Sequence, residues 1–449
     1  MVLHANGRIR ICKVPTKPLA DTSQHVAQPA ASFSSDLVAP SRIEASGQIV
    51  APGRIESVDI FRGFNVLLMI LVDNLGLVKG LPWWTYHMPA NANGMTYVDM
   101  VFPAFLFLMG MSIPPSMRSR IAKGETARQL WAHVLWRSFA LIVMGLFVAN
   151  ALLVDAGKTG MNASLWAALG FVAIGFCLVC LPEDRMRASA FLTLRIAGIV
   201  LALYLALIFR RTAADGHSLW LDFSDWEILG LLGWAYLFVS AVYLLCRKIS
   251  AFKSGMVASL LVLALAGFIA INVASKAGLL AWLDSLPPYL KPLDAGLSAI
   301  TMAGLLASMI LTGDGIASSL RQKLSWATIG AVIFFVLGWF LRPLGISKIR
   351  GTPTWCLYCM SASLVVVVLL YWFADVRRGL LWTGFARIVG ANALLAYFLP
   401  YTAYLIAQLG WLTADGSSGW LGIGKSMFFT SLILAAVLLL NRCKIGLRV

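Results

Sequence analysis

Eight stretches of 18 to 27 residues contain no Asp, Glu, Lys or Arg: 100–117, 159–182, 228–246, 254–275, 295–313, 324–341, 351–374 and 388–414. A helix of about 20 apolar residues spans the roughly 30 Å hydrocarbon core of a bilayer. In lipid each backbone polar group must find its partner inside the segment, so such runs can cross only as helices or as a closed barrel. They lack the strict alternation of barrel strands, and the expected fold is therefore an all-α polytopic integral membrane bundle. Four less clean segments, near 57–78, 131–153, 191–209 and 425–441, bring the expected number of transmembrane helices to about twelve. The number falls to ten or eleven if the pairs near 295–341 and 388–441 are partly re-entrant.

Composition agrees with a membrane protein and excludes other classes. Hydrophobic residues make up 59% and charged residues 12%, with mean hydropathy +0.81, which no soluble domain of this length would carry. The net charge of +16 would suggest nucleic acid in a soluble chain, but no basic stripe with interleaved aromatics occurs, so nucleic acid is not an expected partner. Seven Cys are an odd number, and most lie inside apolar runs, which argues against a disulfide framework. Cys356 and Cys359 form a CxxC within an uncharged span with no second pair, so no metal or redox site is expected. The N-terminus is basic but lacks an apolar core followed by a cleavage site, so no signal peptide is expected.

Residues 1–54 are rich in Ala, Ser, Pro and Gln without helical or strand period. They are expected to form a disordered cytoplasmic tail, unless translation starts downstream, with 55–449 forming the membrane-embedded domain. Twenty-three Lys and Arg fall in the tail and alternate loops, against nine in the opposite loops. By the positive-inside bias both termini are cytoplasmic, and the loop from Lys79 to Gly94 faces outward. Membrane lipid surrounds such a chain, and homo-oligomers remain open.

The first span carries Asp59, Arg62, Asp73 and Asn74. Ionisable groups at membrane depth are costly and point to function by default. Asp59 and Arg62 are three residues apart on one helix face, where an intrahelical ion pair is the structural alternative. Asp73 and Asn74 lie near the outer end, facing the outward loop and the second span, which carries Asp99. These groups bracket His87, the one histidine of five between two carboxylate-bearing helix ends. A neutral imidazole can take a proton from an amine or hydroxyl, or attack an acyl group, while a neighbouring carboxylate fixes its tautomer. An ordinary interfacial histidine beside the aromatic belt of Trp83, Trp84 and Tyr86 is the alternative.

Four stretches carry a family resemblance: SVDIFRGFNVLLMILVDN at 57–74, NGMTYVDMVFPAFLFLMGMSI at 93–113, ISKIRGTPTWCLYCMSASLVVVVLLYWFADV at 346–376 and GANALLAYFLPY at 390–401. Together they resemble the heparan-α-glucosaminide N-acetyltransferase-like membrane acyltransferases, more closely the bacterial branch called domain of unknown function 5009. The resemblance implies acetyl transfer from cytosolic acetyl-CoA, as co-substrate, to an amine or hydroxyl of an outward-facing sugar or glycan. It also implies residence in a bacterial cytoplasmic (inner) membrane. The active histidine of the lysosomal relative lies in the first non-cytoplasmic loop before an Asn-Gly-x-Thr stretch, a place taken here by His87 before Asn93, Gly94, Met95 and Thr96. Asp99, Asp73 and Asn74 are implied as its catalytic companions, Asn93, Asp59 and Arg62 as support. Two departures stand out: HMPANANG is about two residues longer than the lysosomal loop, and Asp73 occupies a place where Asn is common. Arg118, Arg120 and Lys123 on the first cytoplasmic loop are candidate partners of the CoA phosphates, although positive-inside bias also accounts for them. The competing class is a transporter or flippase whose intramembrane charges line a path.

Overall fold

The computed structural model describes residues 42–43, 49–50, 55–180, 188–213, 215–224, 226–246, 253–276, 295–312, 317, 319–377, 379, 381–406 and 416–447. Apart from one antiparallel pair of two-residue strands, Arg42–Ile43 with Ile49–Val50, the expected tail lies outside the described residues. Two more such pairs, Val179–Cys180 with Gly446–Leu447 and Arg211–Thr212 with Ser218–Leu219, and connecting loops accompany a structure that is otherwise helical. In chain order the helices are α1 (Glu56–Leu75), α2 (Val101–Ala122), α3 (Ala127–Asn150), the single turn α4 (Ala156–Thr159), α5 (Ala163–Leu178), α6 (Ala188–Ile208) and α7 (Glu227–Cys246). They continue as α8 (Lys253–Lys276), α9 (Ala295–Thr312), α10 (Leu320–Phe340), α11 (Pro353–Leu370), α12 (Gly384–Ala391), α13 (Ala393–Ile406) and α14 (Gly419–Arg442).

Seven helical segments among the described residues are long and apolar enough to cross a bilayer: Tyr97–Ala122, Ala127–Asn150, Ser189–Ile208, Glu227–Cys246, Leu320–Phe340, Pro353–Val376 and Gly419–Arg442. The chain is thus a polytopic membrane helical bundle. α1 is not among them because Asp59, Arg62 and Asp73 interrupt its apolar run. It nevertheless packs against α2, α11, α12, α13 and α14, which places Asp59 inside the bundle with Arg62 beside it, where charges at membrane depth find partners, while Asp73 is exposed at the helix end.

Burial separates centre from periphery. The α2 segment is 67% buried, whereas those of α6 and α10 are 17% buried and turn their Leu, Ile, Val and Phe outward. Without a hydrophobic drive between helices in lipid, close packing rests on small residues that let backbones touch. A Cβ at Gly63 would overlap the Ala386 carbonyl oxygen, and one at Gly390 the Asp59 carbonyl oxygen, so α1 and α12 meet backbone to backbone. Gly110 on α2 lies in the same way against Thr301 of α9, and Gly304 of α9 against Phe107.

Two departures from regular helix have polar causes. The uncharged run 388–414 is not one continuous helix: it breaks at Asn392 between α12 and α13. The Asn392 amide there donates to the Ile388 carbonyl (3.0 Å) and to Asn441 Oδ1 on α14 (3.1 Å). α11 ends in a π-helical turn, Tyr371–Val376. The Asp375 carboxylate of that turn accepts the Glu56 and Ser57 backbone N–H groups at 2.8 and 3.0 Å. It thereby caps the first turn of α1, whose own N-cap residue, Ile55, has no side-chain acceptor.

Candidate active site

The connection from α1 to α2 is held in a defined shape by its own polar groups. The Tyr86 hydroxyl donates to the Val78 carbonyl (2.5 Å) and accepts the Leu81 N–H (3.1 Å). The Thr96 hydroxyl donates to the Tyr86 carbonyl (2.9 Å), tying the residue before His87 to the turn that opens the second span. That turn is the 3-10 helix Tyr97–Met100, and Asp99 belongs to it.

Asp99 is 1% exposed and its two oxygens have separate tasks. Oδ2 accepts the backbone N–H of Thr96 (3.0 Å) and of Met88 (3.4 Å). Oδ1 lies 2.7 Å from His87 Nδ1. The cap on this turn and the histidine contact are therefore made by one carboxylate. An ionised carboxylate only accepts, so Nδ1 carries the proton and Nε2 keeps its lone pair. The imidazole remains open, with its side chain 48% exposed. A buried carboxylate that orients an accessible imidazole and can stabilise its protonated form is the arrangement a general base requires.

Two more charged groups, Lys348 and Asp73, reach this pair, and Glu227 acts on both of them. Lys348, in the loop between α10 and α11, places Nζ 3.4 Å from His87 Nδ1. Burial draws its ammonium below the usual lysine range, while Asp99 and Asp73 act in the opposite sense. Asp73, at the end of α1, lies within electrostatic reach of Glu227, His87 and Lys348. Glu227 opens α7 with a left-handed backbone (φ 51°), a costly conformation for a residue with a side chain. Its Oε2 accepts from the Tyr397 hydroxyl at 2.7 Å and from the Ile228 N–H.

Of the residues singled out by sequence, His87, Asp99 and Asp73 thus converge. Asn74 is buried and donates to the Ile70 carbonyl of its own helix (2.9 Å); the described contacts link Asp73, not Asn74, to His87. Asn93 joins the α1–α2 and α10–α11 loops: its Oδ1 accepts the Ile346 N–H (2.8 Å), and the Gly94 N–H donates to the Ile346 carbonyl (3.0 Å). An open cleft of about 580 Å³ adjoins this junction, walled by Trp339, Phe340, Arg342, Pro343, Ile346 and Asn93.

Asp59 and Arg62 form the expected ion pair at 3.1 Å. Arg62 also donates to Ser112 Oγ on α2 (2.5 Å) and to the Gly390 carbonyl (3.3 Å). At 1.5 Å per residue, Asp59 lies about 21 Å along α1 from Asp73, so this cluster supports the bundle rather than touching His87. Arg118, Arg120 and Lys123 lie further still, about 28 Å or more along α2 from Asp99. There Arg118 donates to Thr312 (2.9 Å), Arg120 pairs with Glu125 (3.2 Å), and Lys123 is exposed. Cys356 and Cys359 are both buried in α11 and are not joined by a disulfide.

Lys348, Glu227 and Tyr397 were not found by sequence reasoning. Lys348 and Tyr397 do fall inside the stretches that carry the family resemblance, which was the available signal; Glu227 falls outside all four.

Comparison with known proteins places residues 54–289, slightly over half of the chain, in the family described as Domain of unknown function (DUF5009). A stretch of 94 residues is 43% identical to human heparan-alpha-glucosaminide N-acetyltransferase, covering 21% of this chain and 13% of that protein. One of 125 residues is 35% identical to the mouse protein of the same name, covering 26% and 18%. The alignments thus span less than a fifth of either relative's length.

Proposed function

This chain belongs to the DUF5009 family, and from that premise we propose that it is a transmembrane acyltransferase, moving acetyl from cytosolic acetyl-CoA to an amine or hydroxyl of an outward-facing sugar or glycan. The observation that carries the reading is the 2.7 Å contact of His87 Nδ1 with buried Asp99, which leaves Nε2 as a free base on an accessible loop. In direct transfer Nε2 takes the acceptor's proton as its nitrogen or oxygen attacks the thioester carbonyl. The tetrahedral intermediate then expels CoA thiolate, which receives the proton from the imidazolium that Asp99 has stabilised. The alternative is a relay in which Nε2 first accepts the acetyl group. Direct transfer is preferred, since the Asp99 contact serves proton uptake without requiring a second covalent species.

Twelve crossings are expected from the apolar runs and cytoplasmic termini from the charge asymmetry of the loops; in a bacterial cytoplasmic membrane, which the family resemblance implies, this topology would put His87 on the outer side. Arg118, Arg120 and Lys123 then stand at the cytosolic end, where the CoA phosphates would arrive. The cleft beside Asn93 offers the Trp339 and Phe340 rings as apolar faces for a sugar.

The test is acetyl transfer by the purified protein in detergent, over a panel of amino sugars and neutral glycans, with His87→Ala as the comparison. Loss of a general base costs about 10²- to 10⁴-fold, whereas loss of an obligatory acyl carrier leaves almost no transfer and removes any acetyl-enzyme trapped without acceptor. Near-normal transfer by His87→Ala would refute both routes. No transfer or CoA release by the parent protein would favour the transporter reading.

A further inference from the structure

The His87 site gathers more negative charge than a base can use. Asp99 bonds to the ring directly, Asp73 acts on it from the end of α1, and Glu227 acts on Asp73 from the start of α7. The Cys359 side chain on α11 is buried within electrostatic reach of Asp99 and Lys348, and the Tyr397 hydroxyl on α13 is engaged with Glu227. Asp99 and Asp73 both favour the imidazolium, because a nearby anion stabilises a cation. An imidazole that is already protonated cannot take a proton from the acceptor. The site therefore needs an opposing charge, and Lys348 is the cation that reaches both Asp99 and Asp73.

Its placement is built rather than incidental. The Lys348 loop is closed onto the start of α11 by the Ser347 N–H on Thr352 Oγ1 (3.0 Å) and the Thr352 N–H on the Ser347 carbonyl (3.1 Å). It is fastened to the His87 loop by the two Ile346 bonds to Asn93 and Gly94. These ties hold Nζ 3.4 Å from Nδ1. The Nδ1 proton is already given to Asp99 at the shorter distance of 2.7 Å, and an ammonium has only donors to offer. Lys348 therefore acts on the ring through its charge and not by sharing that proton.

We propose that Lys348 is a positioning residue that holds His87 in its neutral, proton-accepting form by offsetting the surrounding carboxylates. The value of this to the enzyme rests on the reading of His87 as the base, but the electrostatic effect itself can be measured without any turnover. Diethyl pyrocarbonate acylates neutral imidazole and spares imidazolium. The rate of His87 carbethoxylation against pH, followed by mass spectrometry of the His87 peptide in the full-length protein, therefore reports the ring's protonation.

The expected result for Lys348→Met is that the half-maximal rate moves to higher pH, by on the order of one unit. Lys348→Arg, which keeps the charge, should titrate close to the parent. His217, on the separate hairpin of Arg211–Thr212 and Ser218–Leu219, serves as the internal reference and should react alike in all three proteins. A Lys348→Met protein whose His217 reacts normally and whose His87 titrates as in the parent overturns the proposal, as does an Arg variant that behaves like Met. If His87 shifts as expected and the acid limb of kcat/KM for acetyl transfer shifts with it, both readings stand. If carbethoxylation shifts while the acid limb does not, Lys348 does what is proposed and His87 is not the base.

Discussion

Asp99→Asn is an isosteric change whose outcome follows from counting donors. The carboxylate serves two sides: Oδ1 receives the His87 Nδ1–H, and Oδ2 receives the Thr96 and Met88 N–H groups. Asparagine has one acceptor end and one donor end. If its oxygen stays on His87, its NH₂ is forced against two backbone donors at a site 1% exposed, and each buried donor left without an acceptor costs about 1–3 kcal/mol. If the amide turns, its oxygen serves both N–H groups and its NH₂ donates to Nδ1. The second arrangement satisfies every group nearby and should win. It also moves the imidazole proton to Nε2, the atom that should be accepting. A histidine held in the wrong tautomer loses on the order of 10⁴-fold in kcat, about 5.5 kcal/mol at 1.36 kcal/mol per decade. The KM for acetyl-CoA should change little, because Arg118, Arg120 and Lys123, the proposed partners of the CoA phosphates, lie about 28 Å or more along α2 from Asp99. Initial rates of CoA thiol release at saturating donor and acceptor measure kcat, and donor titration measures KM. A kcat loss below about tenfold, or a loss confined to donor KM, would refute the tautomer argument.

Two further perturbations test the frame around the site. A cysteine at Ala90, exposed in the His87 loop, should react with an impermeant thiol reagent in intact cells, and labelling that requires lysis would reverse the proposed orientation. Gly110→Ala places a methyl group where the Thr301 carbonyl of α9 now sits; overpacking of this kind costs about 1–3 kcal/mol, so the apparent Tm in detergent should fall, and an unchanged Tm would show that α2 and α9 do not meet through their backbones.

The part of the site legible in the sequence was the part that folds locally. His87 and Asp99 are twelve residues apart, on a short connection between two spans, and a loop that short leaves few ways to separate them. Asp73 was legible for the same reason, being the last charge before that connection. The Asn74 side chain was not, because a buried amide in a helix can satisfy itself on the carbonyl four residues back, as Asn74 does on Ile70. Hydropathy likewise located the helices but not their contacts. Nothing in an uncharged run says that Gly110 faces Thr301, or that a helix will break at Asn392 because its amide finds Asn441.

Lys348 shows why the remainder was hidden. It lies 261 residues from His87 in the chain, in a loop that the positive-inside reading assigns to the outer side, where its cations count as exceptions to a topological bias. That reading counts charges by side and is blind to what each one touches. Its logic can be reversed, since the bias disfavours positive charge in outward loops and a cation kept there, partly buried between Asp99 and Asp73, requires a local cause. The Asp99 and Asp73 carboxylates beside His87 supply it. Lysines that violate the topological rule while lying beside a base are accordingly the residues whose removal should alter the chemistry more than the insertion.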